Sequence, residues 1–295
     1  MKQCNDCPRR CGINRAESLG RCRAPEKFLV ARIAPHLWEE PLISGTKGSG
    51  TVFFGGCNLG CVYCQNRDIR DGKLGHLYTE EELLEAVMAL TDTGVHNVNL
   101  VTPSHYVRAL VPFLTELKKR IAVPIVWNSS GYETAEAIAS LQGLVDIFLP
   151  DFKYVDADLA KKYSAAPDYP AVAEKAIQAM VSLVGAPQFD EAGLMIKGVV
   201  VRHLVLPGQR KHSAALLSRL SEIVSPNEIK LSLMSQYTPD FVDKEAFPEL
   251  SRRVTSFEYG SVLDHAISLG FDGYFQARSS ATAAFTPDFY ENISL

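Results

Sequence analysis

Three cysteines close together are the residues of this chain best suited to metal chemistry. They are Cys57, Cys61 and Cys64, in the stretch GGCNLGCVYCQN, with the spacing C-x3-C-x2-C. Three thiolates can hold three corners of a four-iron cube and leave the fourth iron without a protein ligand, whereas a cluster that carries electrons is usually held by four cysteines. An iron left open in this way can bind a reactant. A zinc site is the alternative, but zinc sites usually pair their cysteines and take four protein ligands.

Four more cysteines stand near the amino terminus, and none follows Cys64. Cys4, Cys7, Cys11 and Cys22 have the spacing C-x2-C-x3-C-x10-C. Four thiolates close a tetrahedral site, and a closed site is usually structural. Zinc and a second, fully ligated [4Fe–4S] cluster both accept four sulfurs. Because so short a segment has little core of its own, bound metal would supply its folding energy. A metal-free flap is the third interpretation.

Composition narrows the class of protein. The chain has 295 residues, of which 46% are hydrophobic and 22% charged, with a net charge of −4 and a pI of about 6.0. This charge does not favour a general nucleic-acid binder. No apolar run is long enough for a transmembrane helix, and the polar start MKQCNDCPRRCG does not resemble a signal peptide. We therefore expect no membrane partner and a cytoplasmic location, where cysteines more often bind metals than form disulfides.

The rest of the chain alternates between buried-type strands and helices. We expect three parts, a Cys-rich segment 1–28, a connection 29–48 and a main domain 49–295. Strands separated by helices indicate parallel β/α units, and six such units are too few for a closed eight-stranded barrel. A partial (β/α)6 barrel and an open doubly wound sheet both fit this pattern. The expected strands are 49–56, 98–103, 124–130, 145–154, 198–208 and 229–237, with short strands within 28–38 and 273–277. The first expected helix begins at Thr79. The others cover 105–120, 133–142, 156–184 (one or two helices, broken near Pro167 and Pro170), 216–224 and 256–269.

Polar side chains occur at or just after the end of each of these six strands. In either architecture, sites form at the carboxyl ends of parallel strands. We therefore predict one shared pocket at that edge of the sheet. Its candidate residues beyond the cysteine loop are Thr102, Ser104, Asn128, Ser129, Asp151, Lys153, Arg202, His203 and Gln236.

The cysteine loop, together with several later phrases, carries a resemblance to a known family. The chain resembles radical S-adenosylmethionine (SAM) enzymes, and more narrowly the pyruvate formate-lyase activating enzyme group, in its branch of homologues with a Cys-rich amino terminus. The phrases of that narrower resemblance are NLVTPSHY, PIVWNSSGYE, DIFLPDFKY, VVRHLVLPG and LMSQYTP, and it covers residues 4–285. It implies a [4Fe–4S] cluster on Cys57, Cys61 and Cys64, with SAM on the open iron. Reductive cleavage of SAM would then give a 5′-deoxyadenosyl radical that abstracts hydrogen from a substrate.

The resemblance also implies positions around SAM. Tyr63 would lie near the adenine, and Asp151 with Lys153 near the ribose and carboxylate. The turn from Thr102 to Ser104 occupies the place of the Gly-Gly-Glu motif that holds the SAM amino group, which is a departure from the family pattern. The other implied contacts are Asn128 and Ser129 near the SAM carboxylate, Arg202 or His203 at the methionine end or the substrate, and Gln236. For His203 a satisfied core histidine is the alternative, for Arg202 a structural ion pair, and for Gln236 a hydrogen bond that closes the barrel.

Two classes of function remain open from sequence. In the first, the chain is a radical SAM enzyme, whose substrate is either a backbone glycine of a partner glycyl-radical enzyme or a small molecule or other residue. Its electron donor would be a flavodoxin or ferredoxin. In the second, the chain is a non-catalytic iron–sulfur or zinc protein, but that hypothesis leaves the three-cysteine loop without a role.

Overall fold

One ten-stranded sheet organises the protein, and the computed structural model describes residues 3–276. Its strands are β1 (Phe28–His36), β2 (Ser49–Phe54), β3 (His76–Tyr78), β4 (Val98–Val101), β5 (Ile125–Ser129), β6 (Ile147–Pro150), β7 (Gln188–Phe189), β8 (Met195–Leu204), β9 (Lys230–Met234) and β10 (Gly273–Phe275). The α-helices are α1 (Pro41–Ser44), α2 (Arg67–Arg70), α3 (Glu80–Asp92), α4 (Val107–Lys118), α5 (Ala135–Ala139), α6 (Ala157–Ser164), α7 (Tyr169–Val184), α8 (Arg210–Ile223) and α9 (Ser256–Ser268). Residues 1, 2 and 277–295, which the predicted parts 1–28 and 49–295 include, lie outside the described residues, as does the last residue of the strand expected at 273–277.

The parallel part of the sheet runs in the order β10-β9-β8-β6-β5-β4-β2. Successive strands lie next to one another and are joined through helices, as right-handed β/α units require. The sheet does not close on itself, so the architecture is a partial (β/α)6 barrel, with β10 as one further short parallel strand. The expectation of a partial barrel is confirmed.

Both faces of the central strands are buried, which explains their nearly continuous apolar sequences. One face packs against the helices in the main hydrophobic core. The other face forms a separate cluster inside the barrel, where Val126, Leu149 and Val200 pack with Ile43 of α1. Helix α1 therefore plugs the interior of the barrel.

Segment 29–48, which we expected to be a connection, contributes to the sheet. Strand β1 pairs antiparallel with both β2 and β3, and its register with β2 ends at His36 opposite Ser49. No long crossover helix separates β1 from β2, so the antiparallel arrangement is the one available to so short a link. The division of the chain into three parts stays a prediction, but the middle part holds an edge strand and the plug.

Local signals account for several boundaries. Helix α3 begins at a capping box, in which the Thr79 hydroxyl accepts from the Glu82 backbone N–H and the Glu82 carboxylate accepts from the Thr79 N–H. The break between α6 and α7 falls at Ala165, which is left-handed at φ 52°, and Pro170 lies in the first turn of α7. Among residues 3–276, none of the helices combines the length and apolarity needed to span a lipid bilayer.

Candidate active site

A cavity of about 240 Å³ opens at the carboxyl ends of the parallel strands. The loop after β2 brings all three cysteines of the C-x3-C-x2-C motif to its wall, and the ends of the neighbouring strands supply most of the remaining polar lining. This cavity is the pocket that the polar strand ends predict. The predicted residues that line it are Cys57, Cys61, Cys64, Thr102, Asn128, Ser129, Asp151, Lys153, Arg202 and Gln236.

Hydrogen bonds to two of the three sulfurs hold the cysteine loop. The Leu59 backbone N–H donates to Cys57 Sγ over 3.4 Å, and the Ser164 hydroxyl donates to Cys61 Sγ over 3.0 Å. The Arg70 guanidinium donates to the Cys61 carbonyl over 2.6 Å. Donors aimed at sulfur stabilise a thiolate and tune the potential of an iron–sulfur cluster. None of the seven cysteines is in a disulfide.

Burial disfavours the charged form of two of these thiols, Cys57 and Cys64. It raises the pKa of the Cys57 thiol well above its ordinary value and that of Cys64 to about 11. The nearby charges of Arg70 and Lys153 act in the opposite direction at Cys64. A bound metal centre would deprotonate all three thiols. The donor set, three sulfurs facing one cavity beside two cations, fits a cluster held by three cysteines.

The floor of the cavity is a connected network of charged and amide groups. Arg202 donates to Asp151 over 2.9 Å and to the Asn128 side-chain oxygen over 2.7 Å, while Lys153 donates to Asp151 over 2.6 Å. Burial opposes the charged form of Asp151, but Arg202 and Lys153 outweigh it and lower the pKa of this carboxyl below its ordinary value. The network therefore presents both signs of charge, which suits a zwitterionic amino-acid group.

Thr102 has an unusual backbone at the cavity wall. Its φ is 59°, in the left-handed region that a β-branched residue rarely adopts. Its N–H donates to the carbonyl of Asn128 over 2.8 Å, which holds the turn after β4 against β5. The turn therefore places Thr102 in a backbone conformation that glycine adopts more readily.

Three of the predicted site residues, His203, Ser104 and Tyr63, do not line the cavity. Both ring nitrogens of His203 are used, one with the Phe152 carbonyl at 2.8 Å and the other with the Ser213 hydroxyl at 2.9 Å. Alternate residues of a strand face opposite sides, so β8 directs Arg202 into the cavity and His203 towards the helices. The hydroxyl of Ser104 donates to the buried carboxylate of Glu133. We therefore interpret His203 and Ser104 as structural residues.

Tyr63 belongs to the cysteine loop, and its side chain is buried. Its hydroxyl shares a 2.6 Å hydrogen bond with that of Tyr154, and its ring lies edge-on to those of Tyr163 and Tyr237. The expected position of Tyr63 beside the adenine stays a prediction.

The Cys-rich segment docks onto the cysteine loop. The Cys57 backbone N–H donates to the Cys22 carbonyl over 3.1 Å, and the Arg9 guanidinium donates to the Asn58 carbonyl over 2.8 Å. In the middle of the segment, Arg15 donates to Cys4 Sγ over 3.2 Å and to the carbonyl of His105. The segment therefore covers the loops that follow β2 and β4.

The four cysteines of this segment lie close to one another. Burial is the main cause that raises the pKa of the Cys7 thiol to about 12, and the neighbouring thiols Cys22, Cys4 and Cys11 act in the same direction. Within residues 3–276, no three Cys, His, Asp or Glu side chains converge as the ligands of a single metal ion do.

Two charged residues of the cavity, Glu39 and Arg70, are not among those predicted from the sequence. Glu39 lies on the link between β1 and α1, within the segment expected to be a connection, and Arg70 ends α2 after the cysteine loop. The pair of adjacent acids Glu39 and Glu40, inside the otherwise apolar stretch HLWEEPLI, is the signal that could have found the first. Ser130, whose buried hydroxyl has no hydrogen-bond partner among the described residues, also lines the cavity.

Comparisons with known proteins identify a family profile and several relatives that match this chain. The sequence profile of the radical SAM superfamily matches residues 51–217. An uncharacterised protein of Methanocaldococcus jannaschii is 30% identical over 285 residues, which cover 92% of this chain and 76% of the relative. A 7-carboxy-7-deazaguanine synthase of Methanothermobacter thermautotrophicus is 31% identical, covering 38% of this chain and 42% of the relative. A putative glycyl-radical enzyme activating enzyme of Haemophilus influenzae is 29% identical, covering 38% and 43%.

The chain thus spans less than half the length of the last two relatives. Among solved structures, SuiB of Streptococcus suis bound to S-adenosylmethionine is similar with a TM-score of 0.47 and 12% identity, over 75% of this chain and 47% of SuiB. The superfamily profile covers more than half of the chain, and the Methanocaldococcus relative aligns with nearly all of it. The chain therefore belongs to the radical SAM superfamily, whose enzymes use a [4Fe–4S] cluster and SAM.

Proposed function

We propose that Cys57, Cys61 and Cys64 hold the [4Fe–4S] cluster of this enzyme and that the adjoining cavity holds SAM. The observation that carries this proposal is that the three sulfurs open into the same cavity as the polar floor. When bound, the cluster and SAM supply one-electron cleavage of a carbon–sulfur bond and the abstraction of a hydrogen atom from a substrate.

The side chains of the cavity then bind and orient SAM. Lys153 and Arg202 are the cations of the cavity floor that we assign to its carboxylate, and Asp151 is an acceptor for its ribose hydroxyls or ammonium group. The remaining polar contacts are supplied by Asn128, Ser129, Thr102 and Gln236. The apolar lining that keeps water from the reacting atoms is Trp38, Phe53, Phe54, Leu59 and Ile69.

The substrate we propose first is a backbone glycine of a partner glycyl-radical enzyme. The similarity to the activating-enzyme relative and the phrases quoted from the sequence support this choice. Modification of a small molecule is the second candidate, and the similarity to the deazaguanine synthase, which also covers 38% of this chain, supports it equally. A flavodoxin or ferredoxin is the proposed electron donor in both cases.

The Cys-rich segment holds a second metal centre in this proposal, on Cys4, Cys7, Cys11 and Cys22. Its direct contact with the cysteine loop and the mutual closeness of its thiols support a centre that is structurally coupled to the active site. A second [4Fe–4S] cluster and zinc are both candidates for the metal.

Production of 5′-deoxyadenosine tests the proposal. The protein is purified and reconstituted with iron and sulfide without oxygen, reduced with dithionite, and given SAM. We expect 5′-deoxyadenosine and methionine from the wild type and neither from the Cys61→Ala variant. A wild-type protein that keeps its iron but neither binds nor cleaves SAM would favour a non-catalytic iron–sulfur protein instead.

Addition of a glycyl-radical enzyme then separates the two substrates. A glycyl radical detected by electron paramagnetic resonance (EPR) would support the activase role. SAM cleavage that yields no such radical, but rises with a small-molecule substrate, would support the second candidate.

A further inference from the structure

Glu39 joins three strands of the barrel at the floor of the cavity. Its Oε2 accepts from the Asn99 side chain of β4 over 2.8 Å and from the Asn128 side chain of β5 over 3.1 Å. Its Oε1 accepts from the Arg202 guanidinium of β8 over 3.2 Å. The Glu39 side chain is only 11% exposed. One carboxylate therefore contacts an amide or a guanidinium from each of three strands.

The origin of Glu39 sets it apart from its partners. Asn99, Asn128 and Arg202 lie within residues 51–217, which match the superfamily profile, whereas Glu39 precedes that region. It is brought into the barrel by the link between β1 and the α1 plug, where Ile43 is buried against the interior strands. The anchoring of Ile43 fixes the position of Glu39 relative to the strands.

Glu39 decides how two cavity-lining groups are oriented. Arg202 also contacts Asp151 and the Asn128 oxygen, and the Asn128 amide nitrogen is held by Glu39. Without the Glu39 carboxylate, Arg202 would lose one of its two anionic partners, and the Asn128 amide would be free to rotate by half a turn. The guanidinium plane and the amide direction are thus set jointly by Glu39 and Asp151.

We propose that Glu39 is a positioning residue for SAM binding, which acts by holding Asn128 and Arg202 in the orientation that they present to the cavity. The proposal rests on the proposed function, since SAM is the ligand it concerns. It adds to the radical SAM site a carboxylate that comes from the segment before the profile-matched region, and it gives the link between β1 and α1 a role in ligand recognition.

Binding of SAM without turnover tests the proposal. The reconstituted, oxidised protein is dialysed to equilibrium against labelled SAM, with no reductant present. We expect Glu39→Ala to weaken binding about tenfold, which is the scale of one lost charge-assisted hydrogen bond. Glu39→Gln preserves the side-chain volume but places an amide nitrogen against a donor, so it should weaken binding in the same direction. The second variant serves if the first fails to fold.

A double-mutant cycle separates positioning from a merely structural effect. Because Glu39 acts partly through Asn128, the variant with both Glu39→Ala and Asn128→Ala should lose less affinity than the product of the two single losses, and the part carried by Arg202 remains. Glu85→Gln is the control, because Glu85 is an exposed glutamate on α3 and does not line the cavity. That variant should bind SAM within about twofold of the wild type, as expected for sites that do not share partners.

Two outcomes would overturn the inference while the proposed function stands. One is wild-type affinity in folded Glu39→Ala and Glu39→Gln proteins, and the other is a double variant whose loss equals the product of the single losses. A wild-type protein that binds no SAM would overturn the proposed function itself, and this inference with it.

Discussion

The backbone N–H of Cys57 donates a 3.1 Å hydrogen bond to the carbonyl oxygen of Cys22. One cysteine belongs to the three-cysteine loop and the other to the four-cysteine segment, so this bond joins the backbones of the two motifs directly. Gly56, which precedes Cys57, has φ 86° and lies directly against the same carbonyl. The two cysteine motifs therefore form one structural unit.

Gly56→Ala should weaken the contact between the two cysteine motifs. An added Cβ would collide with the Cys22 carbonyl, and the left-handed backbone is itself unfavourable for alanine. We expect a loss of about 3 kcal/mol in the free energy of unfolding, against about 1 kcal/mol for the backbone strain alone. Gly94→Ala is the control, because Gly94 has φ 83° but no atom within 4 Å of an added Cβ. Hydrogen exchange should show faster exchange in residues 3–27 for the Gly56 variant only, and equal behaviour of the two variants would contradict the role of the contact.

Removal of the first two cysteines should release the metal of the Cys-rich segment alone. In a Cys4→Ala, Cys7→Ala double variant, two thiols remain there, which is too few for either proposed centre. Metal analysis should find about four irons fewer per chain if the centre is a [4Fe–4S] cluster, or about one zinc fewer if it is zinc. Iron at Cys57, Cys61 and Cys64 should remain. An unchanged metal content would show that the segment binds no metal.

His203→Ala should destabilise the protein and leave SAM binding unchanged. Both ring nitrogens are bonded within the protein, and burial lowers the pKa of His203 to about 4. Losing a buried ring with two hydrogen bonds should cost about 3 kcal/mol. Ser213→Ala, which removes one of these bonds from the other side, is the matched variant and should also lose stability. Weakened SAM binding at unchanged stability would instead show that His203 takes part in binding SAM.

Glu40→Gln should stabilise the protein above neutral pH. Burial raises the pKa of Glu40 to about 7, with Arg202 lowering it and Glu39 and Asp151 raising it. Because the folded pKa lies above the ordinary 4.5, protonated Glu40 favours the fold at low pH, and this contribution is lost as the pH rises from about 4.5 through 7.

Glutamine mimics the neutral acid at every pH. The difference in unfolding free energy between Glu40→Gln and the wild type should therefore grow in favour of the variant between pH 5 and 8, to at most about 3 kcal/mol. Chemical denaturation at each pH measures it, with the exposed Glu85→Gln variant as a control that should show no such trend. A difference independent of pH would contradict the buried position of an ionisable Glu40.

The sequence predicts the sheet well because its signals are local. Apolar strands, the capping box at Thr79 and the proline break before α7 each depend on a few neighbouring residues, and the resulting β/α order leaves few topologies. The polar strand ends likewise predict most of the cavity, since parallel strands bring their carboxyl ends together. The direction of the His203 side chain could not be predicted in the same way. The face of β8 that meets the cavity depends on the register of the whole sheet.

Glu39 could not be placed from sequence for a different reason. Its position depends on β1 pairing antiparallel at the edge of the sheet and on α1 entering the barrel, and both are long-range events. The stretch HLWEEPLI gives no periodicity that would predict them. The closeness of Cys22 to Cys57 is also set by tertiary contacts. The sequence shows only that all seven cysteines lie within the first 64 residues, which indicates related roles.

The most direct test of the central claim is the EPR spectrum of the reduced protein, recorded with and without SAM, in the Cys4→Ala, Cys7→Ala variant that retains only the three-cysteine loop. We predict the signal of a single [4Fe–4S] cluster whose shape changes when SAM is added, because SAM occupies the iron that lacks a cysteine. A spectrum that SAM leaves unchanged, or a variant that holds no iron at Cys57, Cys61 and Cys64, would contradict the account.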